Sequence, residues 1–197
     1  LGRLCRLGDV AEDELRQLLT IVHPFAGDAE SENFDPIGPR GIALTEIGRG
    51  DWESARRRLE ALESIEPEAA ALLGRNYESL QDFDALSRWN AAAPKSSEMP
   101  ANAWFAKGAI AAQQAHHASA IRCFAETVLR DQTDRHAYAL MSQSLAQLDA
   151  PKESAEAATR AQLIEQTQVL GAEMAETADR DDAKLAKLSD LLDHLQR

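Results

Sequence analysis

"ANAWFAKGAIAAQQAHHASAIRCFAETVLRD", residues 101 to 131, decides the fold. Two runs of helix-favouring residues flank "QAHH", which carries a turn. Trp104 and Gly108 are four residues apart and so stack on one face of the first helix. Ala120 and Phe124 repeat that spacing on the second. Gly108 and Ala120 are small enough to let two antiparallel helices approach closely, while Trp104 and Phe124 fill the space around them. Aromatic residues at helical spacing are more often core than cofactor ligands, so these four residues are assigned to packing.

The same offsets recur along the chain. Upstream, "LGRNY" places Leu73, Gly74 and Tyr77 on a first helix, and "DFDALSRWNAAAP" supplies Ala85, Trp89, Ala92 and a closing Pro94. Further upstream, "GRGDWESARRRLEALESIEP" gives a turn at Gly50, an N-cap at Asp51, then Ala55, Leu59, Leu62 and Pro67. Downstream, "LDAPKESAEAATRA" has Pro151 near the start of a second helix, followed by Ser154, Ala158 and Ala161. The small positions of the second helices fall at 55, 85, 120 and 154, intervals of 30, 35 and 34. Self-similarity near a period of roughly 34 residues, with W-x2-L-G-x2-Y, A-x3-F and a terminal Pro, resembles the tetratricopeptide repeat (TPR) family.

That resemblance covers four units, at about 36–66, 67–98, 101–134 and 135–168, and implies an all-α fold, an α-α superhelix of about four helix pairs. The third unit carries the motif most fully. The first has Pro39 where the tryptophan would sit, and the fourth has Tyr138 for the tryptophan and Ser142 for the glycine. Before the repeats, residues 9–22 read as an amphipathic helix and residues 24–38 as a loop, so residues 1–35 form an N-terminal helix and acidic loop. After them, the last helix runs on through Leu163, Leu170 and Met174. "ADRDD" interrupts it, and Leu185, Leu188, Leu192 and Leu195 then mark a capping helix within 169–197.

Composition agrees with a folded helical chain. Of 197 residues, 44% are hydrophobic and 27% charged, with valine and isoleucine sparse. A formal net charge of -12 opposes a nucleic-acid role, which needs a basic surface to displace counterions. Residues 9 to 35 hold eight acidic side chains against Arg16 alone, a local balance of -7. An acidic docking surface would read this way, but a solvated helix face followed by a polar loop is the commoner cause. Cys5 and Cys123 have neither metal-site nor disulfide-framework spacing, and they leave the compartment open between cytoplasm and export. The chain begins at Leu1 instead of Met, so the lack of a leader decides nothing. No apolar run approaches the roughly 20 residues of a spanning helix, and no membrane insertion is expected of this segment.

The search for chemistry returns packing and solvent-facing groups. His116 and His117 are adjacent at a helix corner, point different ways and have no Cys or carboxylate at ligand spacing, even with His136 in the next unit. "DAESENFD", residues 28–35, has alternating oxygen side chains but Asn33 in place of the mid-loop glycine and Pro39 where a bidentate glutamate belongs. Arg56-Arg57-Arg58 shares its helix with Glu53, Glu60 and Glu63. No nucleophile with a base, phosphate-binding glycine loop or metal set stands out, so the expectation is a chain that is not an enzyme and holds no cofactor and no metal.

The TPR resemblance implies that the first helices line a groove for an extended peptide or a partner helix. The family's offsets fall on Glu68, Ala71, Arg75 and Glu78, on Asn102, Phe105, Ala109, Ala112 and Gln113, and on His136, Ala139, Gln143 and Gln147. The eight candidate groove residues among them are Arg75, Glu78, Asn102, Phe105, Gln113, His136, Gln143 and Gln147. The lysine-rich set with which some members hold a peptide carboxylate is missing. Arg75 is the groove cation, expected either to meet an acidic group of a partner or to pair with Glu78 on its own helix. "WFAKGAIAAQQAHHASAIRCFAETVLRDQTDRHAYALMSQSLAQL" also looks like the repeat segment that precedes FG-GAP propeller and ASPIC/UnbV-type domains in large bacterial secreted proteins. Two functions from different classes follow. One is a non-catalytic protein-interaction scaffold. The other is a structural spacer or accessory repeat domain of a larger secreted protein.

Overall fold

The computed structural model describes residues 38–62, 65–93, 99–177 and 182–195. The amphipathic helix and acidic loop expected before Gly38 lie outside them, as does the interruption expected at 178–182 except for its last residue, Asp182, which begins a helix. The described residues form helices α1 (Gly38–Gly48), α2 (Trp52–Glu60), α3 (Pro67–Ser79), α4 (Phe83–Ala92), α5 (Ala101–Gln113), α6 (His117–Arg130), α7 (Arg135–Ala146), α8 (Pro151–Thr177) and α9 (Asp182–Leu195), with no strand among them. The fold class is all-α and TPR-like, as the sequence indicates. The chain divides into two compact units between Ile65 and Glu66.

In the first unit α1 packs on α2. Pro39 does not prevent α1, because proline in a first helical turn removes only an N–H that has no intrahelical acceptor. Ala43 and Ala55 are fully buried, and Leu59 seals the pair beside them. Arg58 Nε lies 3.1 Å from both carboxylate oxygens of Glu46 and ties the two helices at their rim. Asp51 caps α2 by accepting from Ser54 N–H at 3.1 Å, as its place after Gly50 predicts.

In the second unit the pairs α3–α4, α5–α6 and α7–α8 follow one another, α3 packs on α5, α6 on α7, and α9 covers α8. Each pair is closed by the same turn. A residue with positive φ stands at Gly50, Gln81, Ala115 and Asp149, spaced by 31, 34 and 34 residues. The N–H after it reaches back five residues: Asp51 to Glu46, Asp82 to Tyr77, His116 to Ala111 and Ala150 to Leu145. This is a Schellman closure repeated in phase, and it satisfies carbonyls that would otherwise end each first helix unpaired. Only Gly50 meets it with glycine. Ala115, at φ 58°, holds a left-handed conformation its Cβ opposes. Ala115→Gly should therefore stabilise the second unit by roughly 1 kcal/mol in urea melts.

Counted from these turns, the fully buried Leu86, and not Ala85, shares the register of Ala55, Ala120 and Ser154. The reason is the tryptophan. Trp89 lies against Gly74 from one residue before the register at which Phe124 lies against Gly108, and its Nε1 donates to the Ala70 carbonyl at 2.7 Å. A Cβ on Gly74 would stand 2.5 Å from the Trp89 ring, and one on Gly108 2.6 Å from the Phe124 ring. Both glycines thus make room for a ring of the facing helix. The fourth pair has no ring there. Ser142 and Ser154 each donate a hydroxyl to the other's backbone carbonyl at 2.9 Å, which closes the helices without an aromatic.

Phe105, Ala120, Phe124 and Ala137 make a core cluster bridging α5, α6 and α7, with Leu140 and Met141 packed on it. The two rings meet at 5.9 Å between centroids and 56° between planes, a tilted aromatic pair. Trp104 packs on a neighbouring cluster of Ala71, Met99 and Ala103. The last helix pair ends in a long α8 that runs to Thr177, as its leucine pattern indicates. Leu191 of α9 is buried, as are Ile164 and Leu170 of α8.

Candidate functional site

Helices α3, α5 and α7, with Gln147 at the C-cap of α7, carry the eight candidate groove residues, and the structure sorts these into three places. Arg75, Asn102 and Phe105 join an internal cluster. Arg75 Nη2 donates to Asp134 Oδ1 at 2.9 Å, and Nη1 donates to Asp134 Oδ2 and, at 3.2 Å, to Asn102 Oδ1. The guanidinium sits 4.0 Å above the Phe105 ring centroid. A fork-shaped cation bonded to both oxygens of a carboxylate and stacked on an aromatic face is fully engaged. The carboxylate on Arg75 is therefore the chain's own Asp134, in place of either a partner's acid or a sole pairing with Glu78. Phe105 is 1% exposed and packs in the core, so it offers no apolar surface.

Asp134 also caps α7, accepting from Ala137 N–H at 3.0 Å. Burial pushes its carboxyl upward, but the hydrogen bonds and charge of Arg75, the Ala137 N–H and the His136 side chain outweigh that and hold it below its ordinary value. The sequence signals the cap, an Asp three residues before Ala137, but gives no sign of an Arg partner 59 residues away.

Glu78, Gln113, Gln143 and Gln147 come together around a second place, a cleft of about 370 Å³ between α3, α5 and α7. Ala109, Ala112, Leu140 and Phe83 give it apolar walls, and Ser144 and His117 complete the lining. These last four of the set, Phe83, His117, Leu140 and Ser144, were not among the groove positions. Phe83 and His117 begin second helices, and only the stacking of pairs brings them to the first-helix face. Glu78 is half-buried there. Loss of water pushes its carboxyl up; Arg75's charge and the Ser79 hydrogen bond pull it down, and Asp134 adds to the rise, leaving it above its ordinary value.

His136 belongs to a third place, a neighbouring cleft of about 320 Å³ between α7 and α8, where Gln143 forms the shared wall. Partial desolvation, then the Arg135 and Arg75 charges, hold its imidazole below the ordinary value against the pull of Asp134 and Glu165. Arg135 pairs with Glu165 across that cleft at 2.9 Å. Among the described residues no group of three or more His, Cys, Asp or Glu side chains is placed to hold a metal ion. No described helix is long and apolar enough to cross a membrane.

No family model matches the chain, so the likeness to FG-GAP and ASPIC/UnbV-associated repeats gains no support, and no curated protein matches it. Among solved structures it is similar to a crystal structure of MamA, at 19% identity over 68% of this chain and 82% of that one, with a TM-score of 0.42. A MamA RS-1 ArsTM double mutant is similar at 19% identity over 81% and 93%, TM-score 0.42. MamA 41-end from Desulfovibrio magneticus RS-1 is similar at 20% identity over 79% and 94%, TM-score 0.42.

Proposed function

We propose that this chain is a non-catalytic protein-interaction scaffold whose second unit takes an extended peptide in the cleft between α3, α5 and α7. The observation that carries this reading is the lining itself. Three successive first helices present Gln113, Gln143, Gln147 and Glu78 around apolar walls of Ala109, Ala112 and Leu140. A glutamine amide both donates and accepts, so three of them can pair with a peptide main chain without requiring one side-chain sequence. The walls give the contact its apolar area, as binding clefts generally do. Arg75, bonded to Asp134 and to Asn102, ties α3 to α5 and to the cap of α7 beside this surface and is not part of its lining.

The test is selection of a random-peptide display library on the immobilised chain. Selected peptides should bind the wild type and lose about tenfold or more in affinity with Gln143→Ala combined with Gln147→Ala, as removal of central contacts does. Peptides that bind this double variant undiminished would place the binding surface elsewhere. Selection of no peptide would favour the structural spacer.

A further inference from the structure

We propose that the cleft receives a lysine or arginine side chain of the partner segment, with Glu78 as its counter-charge and Gln113, Gln143 and Gln147 holding the main chain on either side. The inference rests on the reading of this cleft as the peptide site and adds the chemistry of what enters it. Glu78 is the one carboxylate among the lining residues, and no lysine or arginine stands with it. Arg75, whose charge reaches Glu78, is bonded to both oxygens of Asp134, and the Asp134 charge opposes its pull on Glu78. The lining therefore carries a negative formal charge. The whole chain, at a formal net charge of -12, adds a long-range field of the same sign.

The shape of the cleft fits the same ligand. A lysine or arginine has an aliphatic stem that prefers apolar walls and a charged head that requires a partner. Phe83, Ala109, Ala112 and Leu140 offer the walls, and Glu78 in the same lining offers the partner. An acidic side chain would meet Glu78 in a place with reduced access to water, where like charges repel more strongly than at an open surface. A neutral peptide would leave the half-buried carboxylate with only the Arg75 charge and the Ser79 hydrogen bond, which do not outweigh its desolvation. That desolvation is visible in the raised pKa of Glu78, and a cation bound beside it would lower the value again.

The display selection decides this with two further measurements. Enriched peptides should carry lysine or arginine at a shared position. Their affinity should fall about tenfold or more with Glu78→Gln, and the wild-type affinity should fall as salt is raised. Glu165→Gln, in the flanking cleft, should leave affinity unchanged. Urea melts of Glu78→Gln should show a midpoint no lower than wild type, which separates loss of binding from loss of fold. Peptides that bind through Gln143 and Gln147 but carry no shared cation, or bind Glu78→Gln as tightly, would overturn the counter-charge and leave the peptide cleft standing. Peptides indifferent to all three residues, or selection of none, would overturn both.

Discussion

Asp134→Ala should destabilise the second unit by about 3–5 kcal/mol, the range for breaking a buried ion pair by removing one partner. The Asp134 side chain is 2% exposed and that of Arg75 17%, so water replaces the lost carboxylate only in part. The guanidinium would be left over the Phe105 face with only Asn102 Oδ1 as a protein acceptor among its described bonds. The same substitution removes the cap of α7, which alone is typically worth about 1 kcal/mol. Arg75→Met in the same chain should restore a good part of the loss, because it removes the charge left without a partner. A double-mutant cycle in urea gives the coupling directly. If the single variants and the double variant add independently, the pair is not coupled and the cluster is only a neighbour of the fold.

Asp134 and Glu78 contribute to the response to acid in opposite senses. The folded-state pKa of Asp134 is lowered, so its stabilisation is present above the unfolded-state value and is lost as pH falls through the folded value. Glu78 acts in the opposite sense. Its folded-state pKa is raised, so its cost is present at high pH and is relieved as pH falls toward the unfolded value. The contribution of these two groups should therefore hold or rise on first acidification, as Glu78 is relieved, and fall as Asp134 is protonated. Glu78→Gln should remove the first behaviour and keep the second.

How much of this was legible follows from what kind of contact each residue makes. Gly108, Ala120 and Phe124 were readable because their contacts lie within one helix pair, where spacing in sequence is spacing on a face. Gly74 and Trp89 were readable for the same reason, although the one-residue offset of Trp89 hid the true register of Leu86. The turns at Gln81, Ala115 and Asp149 carry no glycine, and so gave no conformational signal despite closing their helices as Gly50 does. Four of the eight candidate groove residues, with Ala109 and Ala112 at further groove offsets, do line one cleft, since that placement needs only the stacking of successive first helices. The engagement of Arg75 was not readable at all. Which carboxylate a long flexible cation reaches depends on three-dimensional placement, and Glu78, three residues away, is the nearer choice only along the chain.

The packing of the third pair gives the other large effect. Phe124→Ala should cost about 3–5 kcal/mol, since the ring is fully buried and its removal leaves a cavity between Gly108, Phe105 and Ala120. Gly108→Leu should cost at least the roughly 1–3 kcal/mol of an overpacked core. The bulk would enter on the side where even a Cβ lies 2.6 Å from Phe124 Cε1 and 2.7 Å from Cδ1. The ring has little freedom to give way, because Phe105 stands behind it at 5.9 Å between centroids and Phe105 itself lies beneath the Arg75 guanidinium. The two sites must therefore depend on each other. Gly108→Ala alone should destabilise, but combined with Phe124→Leu it should cost less than the sum of the two single changes. The smaller side chain vacates the volume that the new methyl needs. Urea melts of the four proteins measure that coupling. If the two changes simply add, Gly108 does not face Phe124 and the register assigned to the third pair is wrong.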